Sequence, residues 1–322
     1  MYISEEKLLL VGVDHGFSMM KHTHGCFPNG IKRLNGAATL KKNTLELNGQ
    51  FYKVGEGRLP MKADKVSDED YFILTLAAIA KECQYYDITE ACVIIAAGLP
   101  FSRFGQEKEA FEKYLMGDGF YIFNFDEKTY IINIEKVFVF PQCYAAIASS
   151  LGQLGPESLA VDIGSKTIDI LHIVDHVPVE SESTSILGAL IECTEEIKNE
   201  VYRMTNRRVT ETQIQTVMKT GTAEINEECL EIIRDKLKQF AKGVEAKLSE
   251  LGFDPEMMPV TYVGGGAEIM RRYGTFQLEQ TNGIVPKEHS GGVFLRKNVR
   301  YIEDIRANAI GYEYLCKKRL GI

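Results

Sequence analysis

The chain has 322 residues, with 37 Lys and Arg against 45 Asp and Glu, for a net charge of -8. At about 150 residues per domain, this length predicts two domains. The acidic balance argues against binding nucleic acid over a broad basic face. The longest apolar stretch, 91–101, is shorter than the ~20 residues of a membrane-spanning helix, and the N-terminus lacks the basic start of a signal peptide. Seven cysteines without a Cys-x-x-Cys pair indicate reduced thiols. We therefore expect a cytoplasmic protein with no membrane contact.

The first half alternates strands and helices. The continuous apolar run 8–13 is typical of a strand buried on both faces, and the Asn-Gly pairs between 21 and 54 favour a hairpin. Ser67-Asp-Glu-Asp70 is typical of a helix start. In chain order, the predicted elements are a strand over 8–13, at least one hairpin within 21–54, a helix after Ser67, a strand over 91–97, a helix at about 106–116, strands at about 119–125 and 129–139, and a helix over 142–151.

After a linker candidate at 152–156, the pattern restarts. Leu187 and five further residues up to Val201 lie at helical spacing, as do Leu230 to Leu248. The second stripe fits a core-facing helix better than a partner helix. In chain order, the predicted elements are strands over 158–161 and 168–174, helices at about 187–201 and 230–248, a strand over 260–263, a glycine turn, and a helix at about 302–320.

Two segments resemble each other, because Leu8–Gly16 and Ser158–Gly164 are both apolar strands that end in Asp-x-Gly. A single Asp-x-Gly is most often a simple turn. A pair, with one aspartate in each half of the chain, suits a metal–triphosphate ligand held between two domains. Glycine-rich backbone can offer N–H groups to phosphate oxygens, and each aspartate can hold Mg²⁺ through water molecules.

Two further motifs are weaker by themselves. Gly264-Gly-Gly266 follows an apolar strand and lets a ligand lie against bare backbone, although a flexible turn explains it equally well. Gln142 follows Phe140-Pro141 and could orient a water for attack on a γ-phosphate, although a plain helix start is the simpler interpretation.

The order of these motifs, completed by Ala307-Asn-Ala-Ile-Gly311, resembles the actin and heat-shock-chaperone ATPase superfamily. Within that superfamily, the sequence is most similar to the ParM (StbA-type) bacterial actins that segregate plasmids. Three features favour this group: the strand-rich insert that precedes Ser67, the segment Ala97–Pro100, and the segment Val263–Glu268. The resemblance implies an α/β fold of the actin/ribonuclease-H-like class, with two related α/β domains, each with a mixed five-stranded sheet, around a nucleotide cleft. Domain I is expected over 1–155 plus 303–322, with an insert at about 22–66, and domain II over 156–302, with a helical subdomain at about 188–258.

The resemblance also implies the site. Asp14 and Asp162 would hold Mg²⁺ through water, Gln142 would position the hydrolytic water, and ATP or ADP, with GTP as the alternative, would be the nucleotide. Two positions depart from the family: Phe17 replaces a small hydroxyl residue, which Ser18 could supply, and Lys166 either contacts a phosphate or points to solvent. The implied nucleotide-binding residues are Gly16, Phe17, Ser18, Lys21, Gly164, Ser165, Lys166, Thr167, Gly264, Gly265, Gly266 and Glu268.

The function implied is an ATPase that assembles head to tail into nucleotide-dependent filaments and moves plasmid DNA through a DNA-binding adaptor. The alternatives are a small-molecule kinase of the same superfamily, for which Asp169 is the nearby candidate base, and a non-polymerising scaffold. His22, His24 and Cys26 alternate along a predicted strand and could be metal ligands, but a fourth ligand is not apparent.

Overall fold

The computed structural model describes residues 1–36, 41–60, 65–275, 293–296 and 298–322. The parts of the expected insert at 37–40 and 61–64 lie outside the described residues. The chain divides into two compact units. Unit 1 comprises Met1–Ser149 and Arg306–Ile322, and unit 2 comprises Ser150–Ile305.

In the described part of unit 1, ten strands form one sheet in the order β4-β3-β2-β8-β10-β9-β6-β7-β5, with β1 beside β2. Its centre is parallel, because β8 lies between β2 and β10 and runs in the same direction as both. The strands are β1 Tyr2–Ile3, β2 Leu8–His15, β3 Met19–His22, β4 Gly25–Pro28, β5 Ile31–Leu34, β6 Thr44–Leu47, β7 Gln50–Val54, β8 Glu90–Leu99, β9 Phe120–Phe125 and β10 Lys128–Pro141.

Four helices accompany this sheet: α1 Asp70–Tyr85, α2 Phe101–Met116, the short α3 Tyr144–Ile147, and α8 Ala307–Leu320. A 3₁₀ helix over Ala148–Gln153 follows α3. The predicted hairpin is confirmed, since β6 and β7 pair around Asn48-Gly49 with positive φ at both residues. Such a turn matches the right-handed twist of the strands that it joins.

In the described part of unit 2, seven strands form a sheet in the order β13-β12-β11-β15-β17-β16, with β14 beside β12. Three helices, α4 Leu190–Thr205, α5 Glu211–Thr220 and α6 Glu227–Glu250, follow one another, and α7 Ala267–Tyr273 comes after β15. The strands are β11 Glu157–Ile163, β12 Thr167–Val174, β13 Val177–Pro178, β14 Thr184–Leu187, β15 Val260–Val263, β16 Val293–Arg296 and β17 Val299–Ile302.

The two sheets repeat one arrangement of four strands. In unit 1, β2 pairs antiparallel with β3, and β2, β8 and β10 run parallel. In unit 2, β11 pairs antiparallel with β12, and β11, β15 and β17 run parallel. The sequence repeat therefore corresponds to a structural repeat, and in both copies Asp-x-Gly falls at the turn between the two antiparallel strands.

Four expectations are wrong in detail. The sheets exceed five strands, because β9 continues the first sheet into β6, β7 and β5, and β12 carries β13 and β14. Gln142 is not a helix start, because Cys143 has a φ of 65° and helix α3 begins after it. Leu187 lies in β14, so α4 begins three residues later than predicted. The final helix begins at Ala307, because residues up to Ile302 pair with β15 as β17.

Helix α8 packs unusually close to the rest of unit 1. A Cβ at Gly12 of β2 would lie 2.0 Å from the carbonyl oxygen of Ala309, and one at Gly311 would lie 1.9 Å from that of Ala145. A Cβ at Gly98 of β8 would meet the buried ring of Tyr312 at 2.1 Å. Only glycine allows backbone to approach this closely, so these three positions fix how α8 docks.

Candidate nucleotide site

The first Asp-x-Gly loop is built around a buried carboxylate. Asp14 is the penultimate residue of β2 and is 2% exposed. Lys21, which faces it across the β2–β3 pair, donates from Nζ to Asp14 Oδ2 at 2.9 Å. Burial by itself would raise the pKa of Asp14, but the ammonium of Lys21, with help from Lys65, holds that pKa below its usual value. Asp14 is therefore ionised at neutral pH.

The backbone after Asp14 turns tightly. The Gly16 N–H donates to the carbonyl of Asp14 at 3.0 Å, and a Cβ at Gly16 would lie 2.5 Å from the carbonyl oxygen of Met19. Two hydrogen bonds from Asn29 stabilise the loop. Its Nδ2 donates to the Gly16 carbonyl and its backbone N–H donates to the Ser18 carbonyl, both at 3.2 Å. Phe17 and Ser18 lie half-buried within this loop.

Sequence reasoning missed His15 and Lys65. His15 is 1% exposed, and its Nε2 lies 2.7 Å from Thr75 Oγ1, which itself donates to the carbonyl of Tyr71. Nε2 therefore carries the proton. Burial, with the neighbouring ammonium of Lys65, lowers the pKa of His15 to about 3, so the ring is neutral. Burial also lowers the pKa of Lys65 to about 8. The position of His15 beside Asp14 was the available sequence signal.

Gln142 points its side chain at the same carboxylate, donating from Nε2 to Asp14 Oδ1 at 3.0 Å. Its own backbone N–H donates to the Leu99 carbonyl at 2.8 Å. The next residue, Cys143, has φ 65° and ψ -56°, and the Tyr144 N–H donates back to the Gln142 carbonyl at 2.7 Å. This is a strained γ-turn, a conformation that costs about 1–3 kcal/mol for a residue other than glycine.

The second loop follows the same plan with different chemistry. Asp162, 7% exposed, is the penultimate residue of β11, but the residue that faces it across the strand pair is Asp169 rather than a lysine. Asp169 is buried and accepts hydrogen bonds from Ser185 and from Thr167 Oγ1. Both carboxylate oxygens of Asp169 therefore have partners within unit 2. The Gly164 N–H donates to the Thr167 carbonyl at 2.9 Å and closes the turn, in which Ser165 and Lys166 lie half-buried.

The start of helix α4 is attached to this second loop. The Leu190 N–H donates to the Gly164 carbonyl at 3.4 Å, and the Ile191 N–H donates to the Ser165 carbonyl at 3.0 Å. These bonds satisfy two of the N–H groups that a helix start otherwise leaves without partners. The second loop is thereby fixed to a helix that carries part of the unit 2 core.

The glycine turn after β15 lies against the second loop. Gly264 has a φ of 82°, and a Cβ there would lie 2.4 Å from Asp162 Oδ1. A Cβ at Gly266 would lie 2.2 Å from Ile163 Cγ2, and the Gly266 N–H donates to the Ile163 carbonyl at 3.1 Å. The structure therefore brings Gly264 beside Asp162 and Gly266 beside Ile163, and Gly265 lies between the two glycines in the chain. Here the glycines are needed for close approach rather than for flexibility.

Glu268, on α7, belongs to a charged cluster next to this turn. Its Oε1 lies 3.7 Å from Arg271 and 3.5 Å from Arg272, and Arg271 also contacts Glu303. Burial, with the negative charge of Glu303, raises the pKa of Glu268 despite the two arginines.

The first loop fits a hydrated metal ion better than one that is coordinated directly. Among the described residues, no three His, Cys, Asp or Glu side chains come together to hold a metal. His22 Nδ1 and His24 Nδ1 instead contact the two oxygens of the buried Glu82, at 2.5 and 2.7 Å, and Cys26 is exposed. Because Mg²⁺ keeps several waters, an ionised carboxylate such as Asp14 can hold it through them.

Residues 12–144 match the family model of the N-terminal domain of actin-like proteins. This segment of the chain is similar to that family. The fold of the whole chain is the actin fold, since three solved structures superpose over nearly its whole length. The archaeal actin homologue Ta0583 in complex with ADP is 18% identical to this chain, with a TM-score of 0.69. The match covers 96% of this chain and 99% of Ta0583. ParM of Bacillus thuringiensis with ATP has 16% identity, a TM-score of 0.69, and 98% and 100% coverage. The Alp12 filament structure has 15% identity, a TM-score of 0.68, and 98% and 99% coverage.

These identities are low, so the solved structures establish the fold alone, and the predicted fold class is confirmed. No curated protein shows significant sequence similarity to this chain. Across the described residues, the helices are either too short or too polar to cross a membrane.

Proposed function

We propose that this actin-like chain binds ATP with its two Asp-x-Gly loops and hydrolyses it. The observation that carries the proposal is the arrangement around Asp14, a buried, ionised carboxylate that contacts both Lys21 and Gln142. In the proposed complex, Lys21 reaches the phosphates, and the tight turns at Gly16 and Gly164, where a Cβ would lie 2.5 and 3.3 Å from a carbonyl oxygen of the same loop, offer backbone N–H groups to them. Mg²⁺, held through water by Asp14 and Asp162, would neutralise charge on the β- and γ-phosphates. GTP is the alternative nucleotide.

Gln142 is the proposed water-positioning residue. Its amide nitrogen binds Asp14, so its amide oxygen faces away from the carboxylate and can accept a hydrogen bond from water. In the proposed reaction the water oxygen bonds to the γ-phosphorus, the bond from that phosphorus to the β–γ bridging oxygen breaks, and the water proton passes to phosphate or solvent. A glutamine cannot act as a base here, so its contribution is orientation.

The proposed biological use of this ATPase is a filament. ADP- and ATP-bound relatives and a filament structure share the fold, which supports nucleotide-dependent head-to-tail assembly. Head-to-tail contacts whose rotation does not close a ring extend indefinitely into a filament. With a net charge of -8, the filament would reach plasmid DNA through a DNA-binding adaptor rather than directly.

One experiment tests hydrolysis and assembly together. Phosphate release and light scattering are followed with ATP, with ADP and without nucleotide, for the wild type, for Gln142→Ala and for Gln106→Ala, an exposed glutamine of α2. Scattering should rise with ATP and decay as phosphate appears. Gln142→Ala should slow phosphate release by about 10²-fold and prolong the scattering, whereas Gln106→Ala should match the wild type. Absence of ATP-dependent scattering in the wild type would refute the filament.

The kinase alternative has less support. It needs a carboxylate that accepts a proton from a substrate hydroxyl, and Asp169 already accepts hydrogen bonds from two hydroxyl groups. Saturable phosphorylation of a sugar or carboxylate by the monomer would favour the kinase. Tight ATP binding without turnover would favour a non-polymerising scaffold.

A further inference from the structure

The motif Ala307-Asn-Ala-Ile-Gly311 places Asn308 against the γ-turn that carries Gln142. Asn308 is buried in the first turn of α8, and its Oδ1 accepts the Cys143 N–H at 3.0 Å. The two residues are 165 positions apart in the chain. The contact therefore joins the end of β10 to the start of the C-terminal helix.

Three consecutive backbone N–H groups are fixed at this turn. Gln142 donates to Leu99, Cys143 donates to Asn308, and Tyr144 donates back to Gln142. Of the three acceptors, only Asn308 Oδ1 is a side-chain atom. A strained conformation persists only where its surroundings over-determine it, and such strain gathers at functional sites. Here it aims the Gln142 side chain at Asp14.

We propose that Asn308 is a positioning residue for Gln142, holding the γ-turn so that the glutamine amide stays against Asp14. This inference rests on the proposed ATPase function. The close docking of α8 at Gly12 and Gly311 supports it, because the helix that carries Asn308 lies so near β2 and α3 that neither glycine could carry a Cβ. Asn308 itself need not touch the nucleotide, so it acts on the rate of hydrolysis rather than on affinity.

The test compares Asn308→Leu, which is similar in size and has no acceptor, with Asn308→Asp, which keeps an acceptor oxygen. We expect Asn308→Leu to lower kcat for ATP hydrolysis by about tenfold or more, with ATP affinity within about threefold of wild type, because misplacing a reacting group slows only the chemical step. Asn308→Asp should restore most of the rate. Thermal unfolding of each variant confirms that it is folded at the assay temperature. If Asn308→Leu is unfolded, it is replaced by Asn308→Ser, whose side chain is too short to reach the Cys143 N–H.

The deciding comparison is made in a Gln142→Ala background. If Asn308 acts through Gln142, adding Asn308→Leu to Gln142→Ala should lower the rate no further, because coupled residues are not additive. The inference is overturned if Asn308→Leu, or Asn308→Ser in its place, hydrolyses ATP like the wild type, or if its loss is the same in both backgrounds. A wild-type chain that does not hydrolyse ATP would refute the proposed function instead.

Discussion

Substituting Gly311 with alanine tests the docking of α8. A Cβ at this position would lie 1.9 Å from the Ala145 carbonyl oxygen, whereas real Cβ contacts essentially never fall below 3.0 Å. The helix or α3 must therefore move by about 1.1 Å, the difference between these values. Neither atom is at the end of a flexible side chain, so the clash cannot be relieved by a change of rotamer. Overpacking of this kind costs about 3 kcal/mol, at the upper end of the usual range.

The assay is thermal unfolding followed by circular dichroism. A loss of about 3 kcal/mol corresponds to a decrease of about 6–12 °C in melting temperature for a domain of this size. Gly105→Ala is the matched control, because Gly105 lies within α2 and its Cβ would meet nothing within 4 Å. Alanine there should stabilise the chain by about 0.5–1 kcal/mol through helix propensity. A Gly311→Ala variant as stable as the wild type would refute the close docking.

Three further predictions concern single side chains. Gly264→Ala should weaken ATP binding measured by calorimetry, because its Cβ would lie 2.4 Å from Asp162 Oδ1 at a φ of 82°; unchanged affinity would contradict this. The pKa of His15 is lowered from 6.5 to about 3 in the folded chain. Between pH 3 and pH 6.5, the unfolded chain therefore binds more protons than the folded chain, so the free energy of unfolding decreases as the pH falls. Relative to His15→Leu, the wild type should be about 2 kcal/mol less stable at pH 5 than at pH 7, and a pH-independent difference would argue against a buried neutral ring. Glu82→Gln should lower the free energy of unfolding in urea by about 3 kcal/mol, because Glu82 is fully buried between two histidines. The control Glu90→Gln, in an exposed ion pair, should lower it by less than about 1 kcal/mol. Equal losses in the two variants would contradict this prediction.

Local patterns predicted the sheet cores well. The run at 8–13 is β2, the run at 91–97 lies in β8, and the pair of aromatic strands is β9 and β10. In each case, continuous or alternating apolar residues determine burial and therefore strand formation. The first loop is also partly predictable, because Asp14 faces Lys21 through simple hairpin register.

Contacts between distant residues were not predictable in this way. The γ-turn at Cys143 is hydrogen-bonded to Asn308, and no local pattern joins those positions. Leu187 fits a helical stripe, yet it pairs with Thr167 in a strand, because a backbone ladder outweighs the periodicity of side chains. The burial of His15 is likewise set by α1 and α2, which supply the rings of Tyr71 and Phe111 around it.

Nucleotide binding by both Asp-x-Gly loops is tested by calorimetric titration of ATP with Mg²⁺ into Asp14→Ala, Asp162→Ala and the double variant. Asp235→Ala, on the exposed face of α6, is the control. Circular dichroism checks folding, and the asparagine variants replace any alanine variant that unfolds. We expect each single variant to weaken binding by about tenfold, equivalent to ~1.4 kcal/mol, the double variant to bind more weakly than either, and Asp235→Ala to bind as the wild type does. Wild-type affinity in the double variant would show that the two loops do not bind the nucleotide.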